Sequence, residues 1–286
     1  MKMKNIVENI YLFSDENSRS ENVTVILTEE GPVVIDAFNS SEQWKVVDAF
    51  IKEAGYEGPK ALIYTHWHLD HTVGHYLTFK ENYPIYAHEK AKQYLSVFKE
   101  RYLNRFIAHE IVEPTVNIIF PTHTFSNTYT LSKGSYTFEL VYIGGHTEDS
   151  IIIFERKTRV LFVGDVLMSH PDRMVVPPSL PIDYGVDYMD LFKSMKKIKQ
   201  RIQSDSVSHI IPGHGMKTDP RILFQQNEEY FQSLHSFVQT EIQKGRREDW
   251  EKVNPAHVFP QPWWEGALDK QQFHVNLIKI YQYLTK

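Results

Sequence analysis

Apolar residues fall in short runs through the first third of the chain. Residues 9–13, 23–28 and 32–36 are rich in Val, Ile, Leu and Phe, which predicts three strands; Glu30-Gly31 marks one of the turns between them. Ser40 or Ser41 then caps a helix that reaches Ala54 and stops at Gly55. Residues 61–64 give a short buried strand. Residues 72–79 predict a short helix and 84–87 another strand. Residues 88–108 carry Tyr94, Phe98, Tyr102 and Phe106 at helical spacing, a packed face, part of which could overlook a site. Short strands and loops return over 111–135. Apolar runs follow at 138–143, 159–163 and 209–211. Residues 188–202 form an amphipathic helix whose Lys193, Lys196, Lys197, Lys199 and Arg201 read as a solvated face. A long helix over 219–244, a Pro- and Trp-rich loop over 254–266 and a last helix to Tyr283 close the chain.

Chemistry concentrates where these runs end. Thr65-His66-Trp67-His68-Leu69-Asp70-His71 places three imidazoles and a carboxylate directly after the strand at 61–64. Neutral imidazole and carboxylate are first-choice ligands for zinc and related divalent ions. Beyond the strand, alternate side chains need not obey strand geometry. His66 and His68 can point at one metal while Asp70 and His71 turn to a second point. Three later runs repeat the design. One leads into Gly144-Gly145-His146, one into Gly164-Asp165 and one into Pro212-Gly213-His214. Each has a glycine just before the ligand, which lets the backbone turn tightly. Four such strand ends predict one site along the rim of a sheet, where open α/β sheets place their ligands.

His-x-His-x-Asp-His, followed by a lone His, a Gly-Asp and a Pro-Gly-His-Gly, resembles the metallo-β-lactamase-fold superfamily of hydrolases over about residues 6–215. The resemblance implies an α/β fold, a four-layer αββα sandwich with a C-terminal helical extension from about 216 to 286, within one domain spanning 1–286. It implies that His66, His68 and His146 hold a first metal, that Asp70, His71 and His214 hold a second, and that Asp165 bridges them. Two zinc ions are expected, with iron or manganese as alternatives. Such a pair shares a hydroxide that attacks a carbonyl or phosphoryl centre. Asp70, beside the nucleophile, is the expected catalytic residue, orienting the water and carrying a proton. Asp36 is either a turn residue or a structural carboxylate near the metals. His75 is either a donor behind the site or, preferably, a structural histidine.

The substrate branch is less constrained. A bridging Asp165 is similar to glyoxalase II, lactonases and nucleases, whereas one lactamase class has a cysteine there. Lactonases usually carry Tyr three positions after that Asp; here it is Met168. Glyoxalase II has a Gly-Cys-Gly-Arg-type segment after its Gly-Asp, and here Val166-Leu167-Met168-Ser169-His170 follows. The expected activity is hydrolysis of a small ester, lactone or related acyl compound. The alternatives are a mononuclear iron oxygenase using His66, His146 and Asp165, and a phosphodiesterase or nuclease. Two loops are expected to shape the pocket. The one over 169–188 offers His170 and Tyr184 as substrate contacts. The one over 254–266 offers Phe259, Trp263 and Trp264, unless the tryptophans pin the last helices.

Composition narrows the partners. The 286 residues are 42% hydrophobic and 23% charged, an ordinary globular balance. A net charge of −5 and pI near 6.3 argue against a nucleic-acid surface. A small-molecule substrate is expected, and a homodimer is allowed. With no cysteine, disulfides and thiolate ligation are impossible, which suits a cytoplasmic setting. The basic start of the chain lacks an apolar core, so neither a signal peptide nor a membrane span is expected.

Overall fold

The computed structural model describes residues 1–15, 21–79, 83–169, 188–216, 218–259 and 267–286. Among them, two sheets face each other. The first has seven strands in the order β1 (Lys2–Val7), β2 (Ile10–Ser14), β3 (Asn22–Thr28), β4 (Gly31–Ile35), β5 (Ala61–Ile63), β6 (Ile85–His88) and β7 (His123–Phe125). β1 to β4 are antiparallel, whereas β4 to β7 run parallel. The second sheet has five strands in the order β12 (His209–Pro212), β11 (Val160–Gly164), β10 (Ile151–Glu155), β9 (Tyr136–Tyr142) and β8 (Thr128–Lys133). β11 and β12 are parallel, and β9 shares their direction because both neighbour β10 antiparallel.

Both faces of the central strands are apolar, and alternation assigns each residue to a layer. Val33, Ile35, Ala61 and Ile63 meet Ile151, Ile153, Val160 and Phe162 between the sheets. Val34 and Leu62 point the other way, toward Trp44, Val47 and Ile51 of α1 (Ser41–Glu53) and Leu95 and Phe98 of α3 (Glu89–Arg101). Ile152, Leu161 and Val163 face Leu191, Met195 and Ile198 of α5 (Tyr188–Ser204), Leu234 of α6 (Pro220–Gln243) and Leu277 of α7 (Ala267–Leu284). Three apolar interfaces between four layers give the αββα sandwich.

α1 illustrates how sequence sets position. Ser40 and Gln43 form a reciprocal capping box at its start. Trp44, Val47 and Ile51 then recur at helical spacing on the buried face, each contributing roughly 1.5–3 kcal/mol by burial.

Several expectations are corrected. Residues 2–7 form edge strand β1, which their exposed, lysine-rich pattern conceals. The helix expected over 72–79 is two short pieces, α2 (Leu69–Thr72) and a 3₁₀ turn (Gly74–Leu77). The helix expected over 88–108 breaks at Tyr102, with α4 (Leu103–Ala108) beyond it. The basic run on α5 is a solvated face as expected, with Lys193 paired to Asp190, Lys199 to Glu228 and Arg201 to Glu139. No helix among the described residues is long and apolar enough to cross a membrane.

Candidate metal centre

The strand directions bring the ends of β5, β9, β11 and β12 to one rim. Backbone bonds lace that rim together: Ile151 N–H donates to Thr65 O at 3.0 Å, Gly213 N–H to Gly164 O at 2.8 Å and Ser169 N–H to His214 O at 2.9 Å. Gly164 turns the chain with φ of +50°, a region open to glycine. Gly213 has a different role from the turning one expected. A Cβ there would lie 2.0 Å from Asp165 Oδ1 and 2.9 Å from His71 Cε1, so glycine is required by close approach.

All seven residues singled out at strand ends converge here, in two groups. In the first, His66 Nε2 and His146 Nε2 each lie 3.0 Å from His68 Nδ1. Three ring nitrogens so close share one focus, near the ~3.3 Å expected between tetrahedral zinc ligands at about 2.0–2.1 Å bonds. In the second group, His214 Nε2 is 3.4 Å from Asp70 Oδ2, and His71 Nε2 is 3.9 Å from Asp70 Oδ1. Asp165 lies between the groups. Its Oδ2 is 3.8 Å from His66, 3.6 Å from His146 and 3.3 Å from His214, while its Oδ1 is 3.4 Å from His71.

The donor set fits divalent cations. His71 Nε2 and Asp165 Oδ1 are buried and make no hydrogen bond among the described residues, although they face each other. Burial holds His66 well below the usual imidazole range and brings His68 down to about 3, so both present neutral nitrogens. Burial pushes Asp165 up, but His214 and His71 outweigh it and hold the carboxylate well below its usual range. Asp70 is likewise held low, by His71 and His214 against burial. Burial lowers His71 and His214, yet the facing carboxylates raise both, His214 to about 10. Buried imidazolium against carboxylate is the charge pattern that a cation replaces, with proton release.

Asp36 and Thr65 orient two of the candidate ligands. Asp36 sits at φ of +62°, a conformation Asp tolerates. It accepts the Thr65 N–H at 2.7 Å and the Thr65 hydroxyl at 2.8 Å. His71 Nδ1 donates to it at 2.9 Å, which leaves Nε2 facing Asp165. The Thr65 oxygen also lies 3.1 Å from His66 Nδ1, which points Nε2 into the first group. Asp36 is therefore a carboxylate that supports the site, one of its two expected roles. His75 is structural: buried between Tyr64 and Tyr83, it contacts their hydroxyls at 2.6 and 2.9 Å.

Asp70 and His68 lie on the more open side of the site, and Trp67 walls it. The Trp67 ring centroid is 4.8 Å from His68 and 5.8 Å from Tyr94, so one aromatic of α3 does reach the site's surroundings. Tyr94 in turn bonds Glu148, which Lys90 also contacts.

Sequence reasoning missed Glu21. It is buried, raised to about 7 by burial and then by Asp70, and pairs through its backbone with His214. No motif spacing marks it. His170 and Tyr184 lie outside the described residues, as do Trp263 and Trp264. Phe259 is described, and it stacks on Tyr230 at 5.2 Å, inside the helical layer.

Residues 18–214 match the family described as the metallo-beta-lactamase superfamily. The chain is similar to hydroxyacylglutathione hydrolase GloC of Haemophilus influenzae, at 28% identity over 164 residues, 56% of this chain and 70% of that protein. A metallo-beta-lactamase family protein from Thermus thermophilus has a similar fold, with TM-score 0.71 at 13% identity, covering 98% of this chain and 95% of that one. The metallo-beta-lactamase from Pontibacter korlensis gives TM-score 0.62 at 19% identity, over 79% and 95% of the two chains.

Proposed function

The chain belongs to the metallo-beta-lactamase superfamily, and on that premise we propose that it is a metal-dependent hydrolase of a small ester, lactone or related acyl compound. His66, His68, His146 and Asp165 would hold one divalent cation, and Asp70, His71, His214 and the same Asp165 a second. Zinc suits this nitrogen-rich, cysteine-free set. The observation that carries the reading is the placement of Asp165. One oxygen turns to His71 while the other turns to His66, His146 and His214.

When bound, the cations supply Lewis-acid chemistry, polarising an acyl oxygen and making water acidic enough to attack at neutral pH. The chain's own groups supply the rest. Asp70 is held ionised, so it accepts a hydrogen bond from the attacking water and orients it. Asp36 and Thr65 fix the tautomers of His71 and His66. The buried Trp67 ring packs against His68. The relative named as a hydroxyacylglutathione hydrolase supports acyl hydrolysis. The net charge of −5 disfavours large polyanionic substrates.

The test is a panel of lactone, thioester, β-lactam and phosphodiester substrates with zinc-loaded protein. Acyl hydrolysis is expected, and it should vanish in His66→Ala and His68→Ala at unchanged circular dichroism. Phosphodiester cleavage with refusal of every acyl substrate overturns the reading.

A further inference from the structure

Glu21 stands outside the seven candidate ligand residues, yet its backbone sets it beside one of them. Its backbone forms an isolated antiparallel bridge with His214. Bridge partners carry their side chains on the same face, with Cβ atoms about 4.5–5.5 Å apart. From that face the His214 ring reaches Asp70 at 3.4 Å and Asp165 at 3.3 Å. Glu21 is 4% exposed and interacts electrostatically with Asp70, His214 and His71.

The carboxylate is also held in place. Gln43 Nε2 donates to Glu21 Oε2 at 3.1 Å and to Asp15 Oδ2 at 2.7 Å. The Gln43 carbonyl accepts the N–H groups of Asn39 and Ser40, at 3.2 and 3.0 Å. One side chain thus caps α1 and fixes Glu21 beside the rim. A buried carboxylate needs opposite charge nearby, and a neutral amide does not supply it. Once a cation is held by Asp70, His71 and His214, those imidazoles are neutral ligands, and the cation itself is the opposing charge.

We propose that Glu21 is a positioning charge for the second cation: set beside His214 by the bridge and by Gln43, it strengthens retention of a divalent ion by Asp70, His71 and His214 without ligating it. The inference rests on the two-cation reading above. The test titrates metal-free protein with Zn2+ against a chromophoric chelator. Wild type is expected to bind two ions. In Glu21→Gln one Kd should rise about tenfold or more, the scale of losing an outer partner of a metal ligand, while the other moves less than about threefold. Glu21→Asp, which keeps the charge, should recover most of the loss. If Glu21→Gln does not fold, Gln43→Met carries the test, because it frees the carboxylate; the same Kd should rise. Two ions bound with unchanged Kd values in these variants overturn the role of Glu21 alone. Failure of wild type to bind a second ion overturns the two-cation reading and this inference with it.

Discussion

Asp36 Oδ2 lies 2.9 Å from His71 Nδ1, and the same carboxylate takes both donors of Thr65. One buried acid therefore orients candidate ligands of both groups, His71 directly and His66 through the Thr65 hydroxyl. Thr65→Val keeps the volume and removes that hydroxyl. Cation affinity should fall about 10- to 100-fold, read by chelator competition. An unchanged affinity would remove Thr65 from the orienting network.

Asp165→Ala removes the carboxylate that lies within 3.8 Å of His66 and His146 on one side and of His71 and His214 on the other. Fewer than two cations per chain are expected by elemental analysis, along with a collapse of kcat. Full two-metal occupancy would falsify the bridging role.

Gly213→Ala tests close approach. Its Cβ would meet Asp165 Oδ1 at 2.0 Å, so Asp165 must move. Overpacking of this kind costs about 1–3 kcal/mol, and cation binding should weaken as well. Gly55 is the contrast: at φ of +90° with nothing near, Gly55→Ala should cost about 1–2 kcal/mol of backbone strain and leave cation binding intact. Denaturant melts paired with metal content separate the two. Equal metal content in both variants refutes the steric argument.

His75 predicts a pH dependence. Burial lowers it to about 3, so the folded chain stays unprotonated where the unfolded chain binds a proton, below about 6.5. Between those values the unfolded state holds more protons, and stability falls as pH falls. From pH 6.5 to 5 the loss from this residue is up to about 2 kcal/mol. His75→Gln can still bridge the two tyrosines but does not titrate. Its Tm should therefore drop less steeply than wild type over that interval, and parallel Tm profiles would count against the argument.

The sandwich and its rim were legible because their signals are chemical and periodic. Apolar runs of strand length end in His or Asp, which marks the rim on the sequence. What supports the rim was less visible. Thr65 and Glu21 act through contacts that only the fold creates, across 29 residues to Asp36 in the first case and through a bridge to His214 in the second. The break at Tyr102 was hidden because Tyr94, Phe98, Tyr102 and Phe106 keep helical spacing across it. β1 was hidden because an exposed edge strand has no apolar face to reveal it. Gly213 looked like a turn residue, and only its neighbours show that space is what matters.

The layer formed by α5, α6 and α7 bears on where this chain can be cut. Leu161, Val163 and Ile210 are closed off from water by residues as late as Leu277 and Ile280, so the last third of the sequence completes the hydrophobic interior begun by the second sheet. A truncation at 216, just past His214, would keep every candidate ligand and strip α6 and α7 from that sheet. The bared surface would exceed the few hundred Å² that soluble monomers tolerate. Such a fragment should aggregate on expression rather than report a minimal catalytic unit. Efforts to miniaturise or graft this scaffold should therefore carry the chain through Leu284.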